Sequence, residues 1–243
     1  MIASSAPTVV HVDRLELSYE PRPWAFADAN RPAIDALFAQ ARAKKPSLFN
    51  GRVLLMYRCT IEDGVMSGAF MEADYASFTF WIASGRPDAG IYDCFGAAAL
   101  ASADGAFLLG EMAAHTYNAG QIYFPCGTPD LSDIVGQRVD FDMSVRRELK
   151  EETGLDAASL VEEPGWSLAF DGEVICAVKV MHSPLAAEPL RGVILNHLAH
   201  ERQPELADIR IIRGEGDFSP NMRSFARLFL GHRFAAGNPT RRP

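Results

Sequence analysis

Apolar and polar positions in this chain recur in short, mixed periods that predict both strands and helices. Residues 9–17 alternate with a period of two and predict a strand. The same reasoning predicts strands at 52–60 and 66–70, joined by Glu62-Asp63-Gly64 as a hairpin turn. Before them, Ile34, Leu37, Phe38 and Ala41 fall at helical spacing and predict a helix over 33–43. The aromatic stretch 75–82 fits a strand or a helix, and the run Gly85-Arg86-Pro87-Asp88-Ala89-Gly90 reads as a boundary loop. Further on, 94–101 and 106–111 flank Asp104-Gly105, while 166–170 and 174–181 flank Asp171-Gly172, both hairpin signals. Strands are expected at 121–124 and 206–212 and a helix at 190–201. The last helix is expected over 220–230, with Ser219 as N-cap and Met222, Phe225, Ala226 and Phe229 on its apolar face.

Composition narrows the class. With 243 residues, 48% hydrophobic and 22% charged, the chain can bury one substantial core, or a core plus a smaller region. A net charge of −8 without a compensating basic stripe argues against nucleic acid as the main partner. The Lys44-Lys45 and Arg241-Arg242 pairs read as solvated charge. Cys59, Cys94, Cys126 and Cys176 are widely spaced, which fits small apolar strand residues better than a zinc site or a disulfide framework. No basic segment leading into a long apolar run opens the sequence, and no stretch is apolar enough to span a membrane. The expected location is therefore cytoplasmic.

The segment Arg147-Glu148-Leu149-Lys150-Glu151-Glu152-Thr153-Gly154-Leu155 carries the chemistry. At roughly 3.6 residues per turn, Glu148, Glu151 and Glu152 share one face of a helix, while Val145 and Leu149 form an opposite apolar anchor. Asp142 or Ser144 can cap its start, and Gly154 suits the left-handed position that stops it. Two readings are open at this level. An exposed acidic face costs only a few tenths of a kcal/mol, so the helix can be solvated surface. If the acids are drawn into a partly buried cluster, each pair repels by roughly 3 kcal/mol at an effective dielectric of 20, and a hard cation is required.

The nine residues strongly resemble the helical half of the Nudix signature, G-x5-E-x7-R-E-U-x-E-E-x-G-U, where U is a large aliphatic residue. The upstream half departs from it. Phe124-Pro125-Cys126-Gly127-Thr128-Pro129-Asp130 looks like the counterpart of the family's glycine loop, yet the path from Gly127 to Arg147 is six residues too long. An insertion is inferred within 131–142, which contains Gly136 and reads as a loop. The upstream Glu then has no secure equivalent, and Asp130, Asp140 and Asp142 are the candidates. The resemblance covers roughly residues 91–215, although only the nine-residue segment is specific.

The resemblance implies a fold, a site and a reaction. The fold is an α/β/α sandwich on a mixed sheet at 91–235, with an appended N-terminal α+β region at 1–90. Glu148, Glu151 and Glu152 match metal ligands, Arg147 the arginine that orients them, and Gly127 a glycine whose carbonyl helps hold metal and substrate. The cofactor would be Mg²⁺, or Mn²⁺ in its place. The implied reaction is hydrolysis of a nucleoside diphosphate linked to another moiety, giving a nucleoside monophosphate and a phosphorylated fragment. A nucleotide sugar is favoured, because an aromatic run like 75–81 also precedes the hydrolase domain in sugar-nucleotide members. ADP-ribose, NAD or a nucleoside triphosphate are the other substrates. A homodimer is expected from the resemblance alone. The contrasting class is a regulatory module that binds nucleotides without cleaving them.

Weaker signals complete the reading. Glu162, Glu163, Glu201 and Glu205 are equal candidates for general base. His115, Asn118 and Gln121 precede the glycine loop and are placed to line a pocket, although an isolated His more often serves structure. His182, His197 and His200 form no metal set with a clear partner acid. Phe78, Phe80 and Trp81 offer faces for a nucleobase, with core packing the better expectation.

Overall fold

Alternation along the strands sorts the apolar side chains into three clusters, and two sheets follow from it. The computed structural model describes residues 6–237, so the Arg241-Arg242 pair lies outside the described residues. The N-terminal elements are β1 (Thr8–Val12), β2 (Arg14–Tyr19), α1 (Ala25–Ala29), α2 (Arg31–Lys44), β3 (Arg52–Glu62), β4 (Val65–Asp74) and α3 (Tyr75–Ala83). Then come β5 (Asp93–Ala101), β6 (Phe107–Met112), β7 (Ile122–Tyr123), β8 (Ile134–Val135), β9 (Arg138–Val139) and α4 (Phe141–Thr153). The chain continues through β10 (Val161–Glu162), β11 (Trp166–Asp171), β12 (Val174–His182), α5 (Ala187–Leu198), β13 (Leu206–Ile212) and α6 (Ser224–Ala235).

The larger sheet runs β1-β11-β12-β5-β6-β13, with β10 beside β12 and β7 beside β6. Only β12 and β5 pair in parallel there, so the sheet is mixed. One face of β5 and β12 carries Phe95, Ala97, Ala99, Cys176, Val178 and Val180 toward α5 and α6. The other face carries Cys94, Ala98, Ile175, Ala177 and Met181 toward Val145 and Leu149 of α4. Helices thus cover both faces of a mixed sheet, an α/β/α sandwich. Gly96 permits the close approach of α4, since a Cβ there would lie 2.5 Å from Val145 Cγ2.

The second sheet, β3-β4-β2-β9-β8, packs beside α4 on the same side of the first. Along β3, Leu54 and Met56 face the shared core, whereas Val53 and Leu55 face a third cluster formed with α1–α3. Trp81 is wholly buried in that cluster, and sealing a side chain of this size stabilises by about 1.5–3 kcal/mol. The ambiguous stretch 75–82 is therefore a helix. Asp74 caps it by accepting from Ser77 N–H at 2.9 Å, and Phe78 and Trp81 serve the core.

Four expectations change in detail. The strand foreseen at 9–17 is two strands in two sheets, because the chain crosses at Asp13, whose N–H is taken by Gly64 O at 2.7 Å. Period-two alternation survives such a crossing and cannot reveal it. The helix foreseen at 220–230 starts at Ser224, and Ser219 does not cap it. Residues 221–223 are drawn out along β7, where Ile122 N–H bonds Asn221 O and Arg223 N–H bonds Ile122 O, each at 3.0 Å. The strand foreseen at 121–124 is reduced to the two residues of β7. The loop foreseen within 131–142 is a 3₁₀ turn followed by the β8–β9 hairpin, which turns at Gly136 (φ 66°) and joins the second sheet through Ser18↔Arg138. Among the described residues, no helix is long and apolar enough to cross a membrane.

Candidate active site

Helix α4 starts where Asp140 accepts from Met143 N–H at 2.9 Å, two residues before the foreseen Asp142 cap. It stops at Gly154 (φ 73°), as expected from its lack of a Cβ. Val145 and Leu149 are fully buried and fix its rotation. The acids then divide by depth: Glu152 is 6% exposed, the Glu148 side chain 15% and the Glu151 side chain 61%. The face is a partly buried cluster, which decides between the two readings of the sequence.

Gly127 lies directly over this cluster. A Cβ there would collide with Glu148 Oε1 and stand 2.7 Å from its carboxyl carbon, so only glycine admits the contact. The preceding Cys126 N–H points at Glu152 Oε1 at 3.4 Å. Arg147 donates to Glu148 at 2.7 Å and reaches Glu151 at 3.5 Å through the same nitrogen. Its other terminal nitrogen donates to Asp133 at 2.9 Å. Burial opposes the charge on Arg147, but Asp133 and Glu148 outweigh it and raise the guanidinium pKa.

Asp133 is the residue that the sequence reading missed. It is completely buried and also accepts from Asp130 N–H at 3.0 Å, which locks the loop after Gly127. It pairs with Arg147, as none of Asp130, Asp140 or Asp142 does among the described residues. Asp130 caps the 3₁₀ turn, Asp140 caps α4, and Asp142 stands 3.7 Å from Lys179. The signal was present: Gly127-x5-Asp133 has the signature's own spacing, with Asp in place of Glu. The six extra residues therefore follow the acid, where β8 and β9 form their hairpin.

A cavity of about 260 Å³ is lined by Glu148, Glu151 and Glu152 together with Glu201 and Glu205 from the turn before β13. Burial pushes Glu148 up to about 7, with Glu151, Asp133 and Glu205 adding to the rise against the pull of Arg147. Burial likewise drives Glu152 well above the ordinary carboxylate range, helped by Glu148 and Glu205. A cation is what would offset the repulsion in such a cluster, and its oxygen donors suit a hard one. Among the described residues, no three His, Cys, Asp or Glu side chains stand together as a ready-made metal-holding group; the acids instead line the cavity.

The remaining candidates separate cleanly. Of the four glutamates considered as base, only Glu201 and Glu205 reach the cavity. Glu162 is paired with Arg146 at 2.6 Å, and Glu163 is held by His182 and Arg233 on the far side of β12. His197 stands 3.6 Å from Glu201, and His200 bonds Asn196 O at 2.7 Å. Asn118 lines a second cavity, of about 260 Å³, that shares Glu152 and Glu205 with the acid site and is also lined by Gly127. His115 lies elsewhere, its carbonyl accepting from Lys45.

No protein-family model matches the chain. No curated protein matches it. Among solved structures it is similar to a Nudix hydrolase, RenU, from M. Smegmatis, at 16% identity over 59% of this chain and 83% of that one, with a TM-score of 0.35. It is similar to the MutT protein from Methanosarcina mazei Go1 at 19% identity, over 61% and 96% of the two chains, with a TM-score of 0.37. A bifunctional NMN adenylyltransferase/ADP ribose pyrophosphatase from Francisella tularensis matches at 14% identity, over 65% of this chain and 45% of its own, with a TM-score of 0.41. The chain's own fold is an α/β/α sandwich on a mixed sheet, with the acidic helix packed on one face and a glycine held against its acids.

Proposed function

We propose that this protein is a divalent-metal-dependent pyrophosphohydrolase. It would cleave the diphosphate of a nucleoside diphosphate linked to another moiety, a nucleotide sugar being favoured over ADP-ribose, NAD or a nucleoside triphosphate. The observation that carries the reading is the cavity in which five glutamates converge around a glycine contact and an arginine clamp. Glu148, Glu151 and Glu152, with the Gly127 carbonyl, are the groups that would hold Mg²⁺ or Mn²⁺. When bound, such an ion neutralises phosphate charge and lowers the pKa of a coordinated water.

The protein's own residues supply orientation and proton transfer. Asp133 fixes Arg147, and Arg147 fixes the carboxylate of Glu148. Glu205 lines both cavities, and its side chain has no hydrogen-bond or ion-pair partner among the described residues. On this reading it is the carboxylate that would take the proton of the attacking water. The regulatory-module reading drew on the missing upstream acid, and Asp133 in that place removes its main support.

The test is cleavage of a panel of nucleotide sugars, ADP-ribose, NAD and nucleoside triphosphates with Mg²⁺ or Mn²⁺. Metal-dependent release of a nucleoside monophosphate, lost in Glu152→Gln, is the expected result. Absence of turnover across the panel, with nucleotides still bound, would return the protein to the regulatory class.

A further inference from the structure

The second cavity touches the acid site but has a different chemistry. It shares Glu152 and Glu205 with that site, and its wall adds Asp93, Arg223 and the aromatic rings of Phe95, Tyr117 and Phe225. Asp93 opens β5, and no side-chain hydrogen bond reaches its carboxylate among the described residues. Its Oδ1 is buried without a donor, although a buried polar atom of this kind ordinarily has a partner. Arg223 is held by the strand-like contact of residues 221–223 with β7, which fixes its backbone. Its guanidinium has no ion-pair or hydrogen-bond partner among the described residues, and Asp93 feels the charge of Arg86 and then that of Arg223 without a bond to either. Tyr117 is 70% exposed at the cavity wall.

Resting on the hydrolase reading above, we propose that this cavity is the subsite for one ring of the substrate, a sugar or a base that presents O–H or N–H donors to Asp93. Arg223 then grips the phosphate that joins this ring to the scissile linkage. Two physical points select this occupant. An unpaired, largely buried carboxylate is satisfied by donors, and a bond to a charged acceptor is stronger than one between neutral groups. A planar, partnerless guanidinium matches phosphate oxygens in a bidentate way. Size sets the limit: at about 260 Å³ the cavity falls below the roughly 300–1,000 Å³ of pockets for drug-sized ligands. It holds a single ring and not a whole dinucleotide.

The experiment measures binding of inorganic pyrophosphate, ribose 5-phosphate, glucose 1-phosphate, UMP and AMP to the full chain. The parent, Asp93→Asn and Arg223→Met are compared by calorimetry with Mg²⁺ present. Asp93→Asn is expected to weaken ring-bearing probes about tenfold or more while leaving pyrophosphate unchanged. Arg223→Met is expected to weaken every ring-bearing phosphate, and it breaks no side-chain hydrogen bond or ion pair among the described residues even if Asp93→Asn folds poorly. Loss shared by the sugar phosphates and the nucleotides assigns the sugar; loss confined to nucleotides assigns the base. If both variants bind all probes as the parent does while the parent cleaves diphosphates, the subsite is wrong and the hydrolase stands. If the parent cleaves nothing but the variants lose ring-bearing probes, the subsite stands and the hydrolase falls.

Discussion

Two single residues around the acidic helix have separable jobs. Gly127 is needed for closeness and not for stability, because the group that a new Cβ would strike is the end of the Glu148 side chain and not backbone. Gly127→Ala is expected to leave the melting temperature nearly unchanged while displacing that carboxylate. A shift of about 1 Å at a reacting site can cost on the order of a hundredfold in rate, so a loss of at least tenfold in kcat should appear in steady-state assays. Asp133 is the reverse case. Removing one partner of a buried pair costs about 3–5 kcal/mol, and partial exposure of Arg147 lowers this to about 2–3 kcal/mol for Asp133→Ala, measurable by urea denaturation. The helix acids and Arg147 were legible in the sequence because the motif is contiguous and its period is helical. Asp133 was not, because its meaning depends on where the extra residues lie. An insertion before it and one after it give the same total length.

At the scale of elements, β10, β12 and α6 are pinned together by Glu163. His182 Nε2 lies 2.8 Å from Glu163 Oε1, and Arg233 donates to both carboxylate oxygens at 2.7 and 3.0 Å. These bonds, that from His182 first, lower the Glu163 pKa from 4.5 to about 2 in spite of burial. The folded state therefore holds the ionised form more firmly than the unfolded chain does. Its stabilisation is fully present above pH about 4.5 and fades as pH falls toward 2. The gap in melting temperature between the parent and Glu163→Gln should be widest near neutral pH and narrow steadily below about pH 4.5. A gap independent of pH over that range would show that the carboxylate charge is not what counts.

Most elements were readable locally. The Asp104-Gly105 and Asp171-Gly172 turns and the strand at 206–212 appear where the sequence put them. The start of α6 was not readable, because β7 holds the preceding residues extended from a distance of a hundred positions along the chain. Propensity near Ser219 contains no trace of that pairing.

The whole molecule is interleaved across residue 90. Strand β1 completes an edge of the larger sheet, while β8 and β9 extend the second sheet from a point deep in the C-terminal part. The glycine loop is tied to the N-terminal part as well, since Leu54 N–H bonds Pro129 O at 2.7 Å. The chain should then unfold as one cooperative unit. Trp24 and Trp81 report on the third cluster and Trp166 on the core between the sheets. Variants that keep one of these tryptophans should give coincident urea transitions by fluorescence; two separated midpoints would divide the molecule into independent parts. Sequence periodicity assigns residues to faces but cannot say which face meets which, so this sharing of strands became visible only in the fold.

The central claim is that the glutamate cavity is a metal site, and direct Mn²⁺ binding followed by electron paramagnetic resonance is its most immediate test. The parent should take up Mn²⁺, and Mg²⁺ should displace it. Glu152→Gln should weaken uptake by at least about tenfold, the loss of one charged ligand being worth more than 1.4 kcal/mol. Glu163→Gln, outside the cavity, should bind as the parent does. Equal binding by the parent and Glu152→Gln, or none by either, would contradict the account.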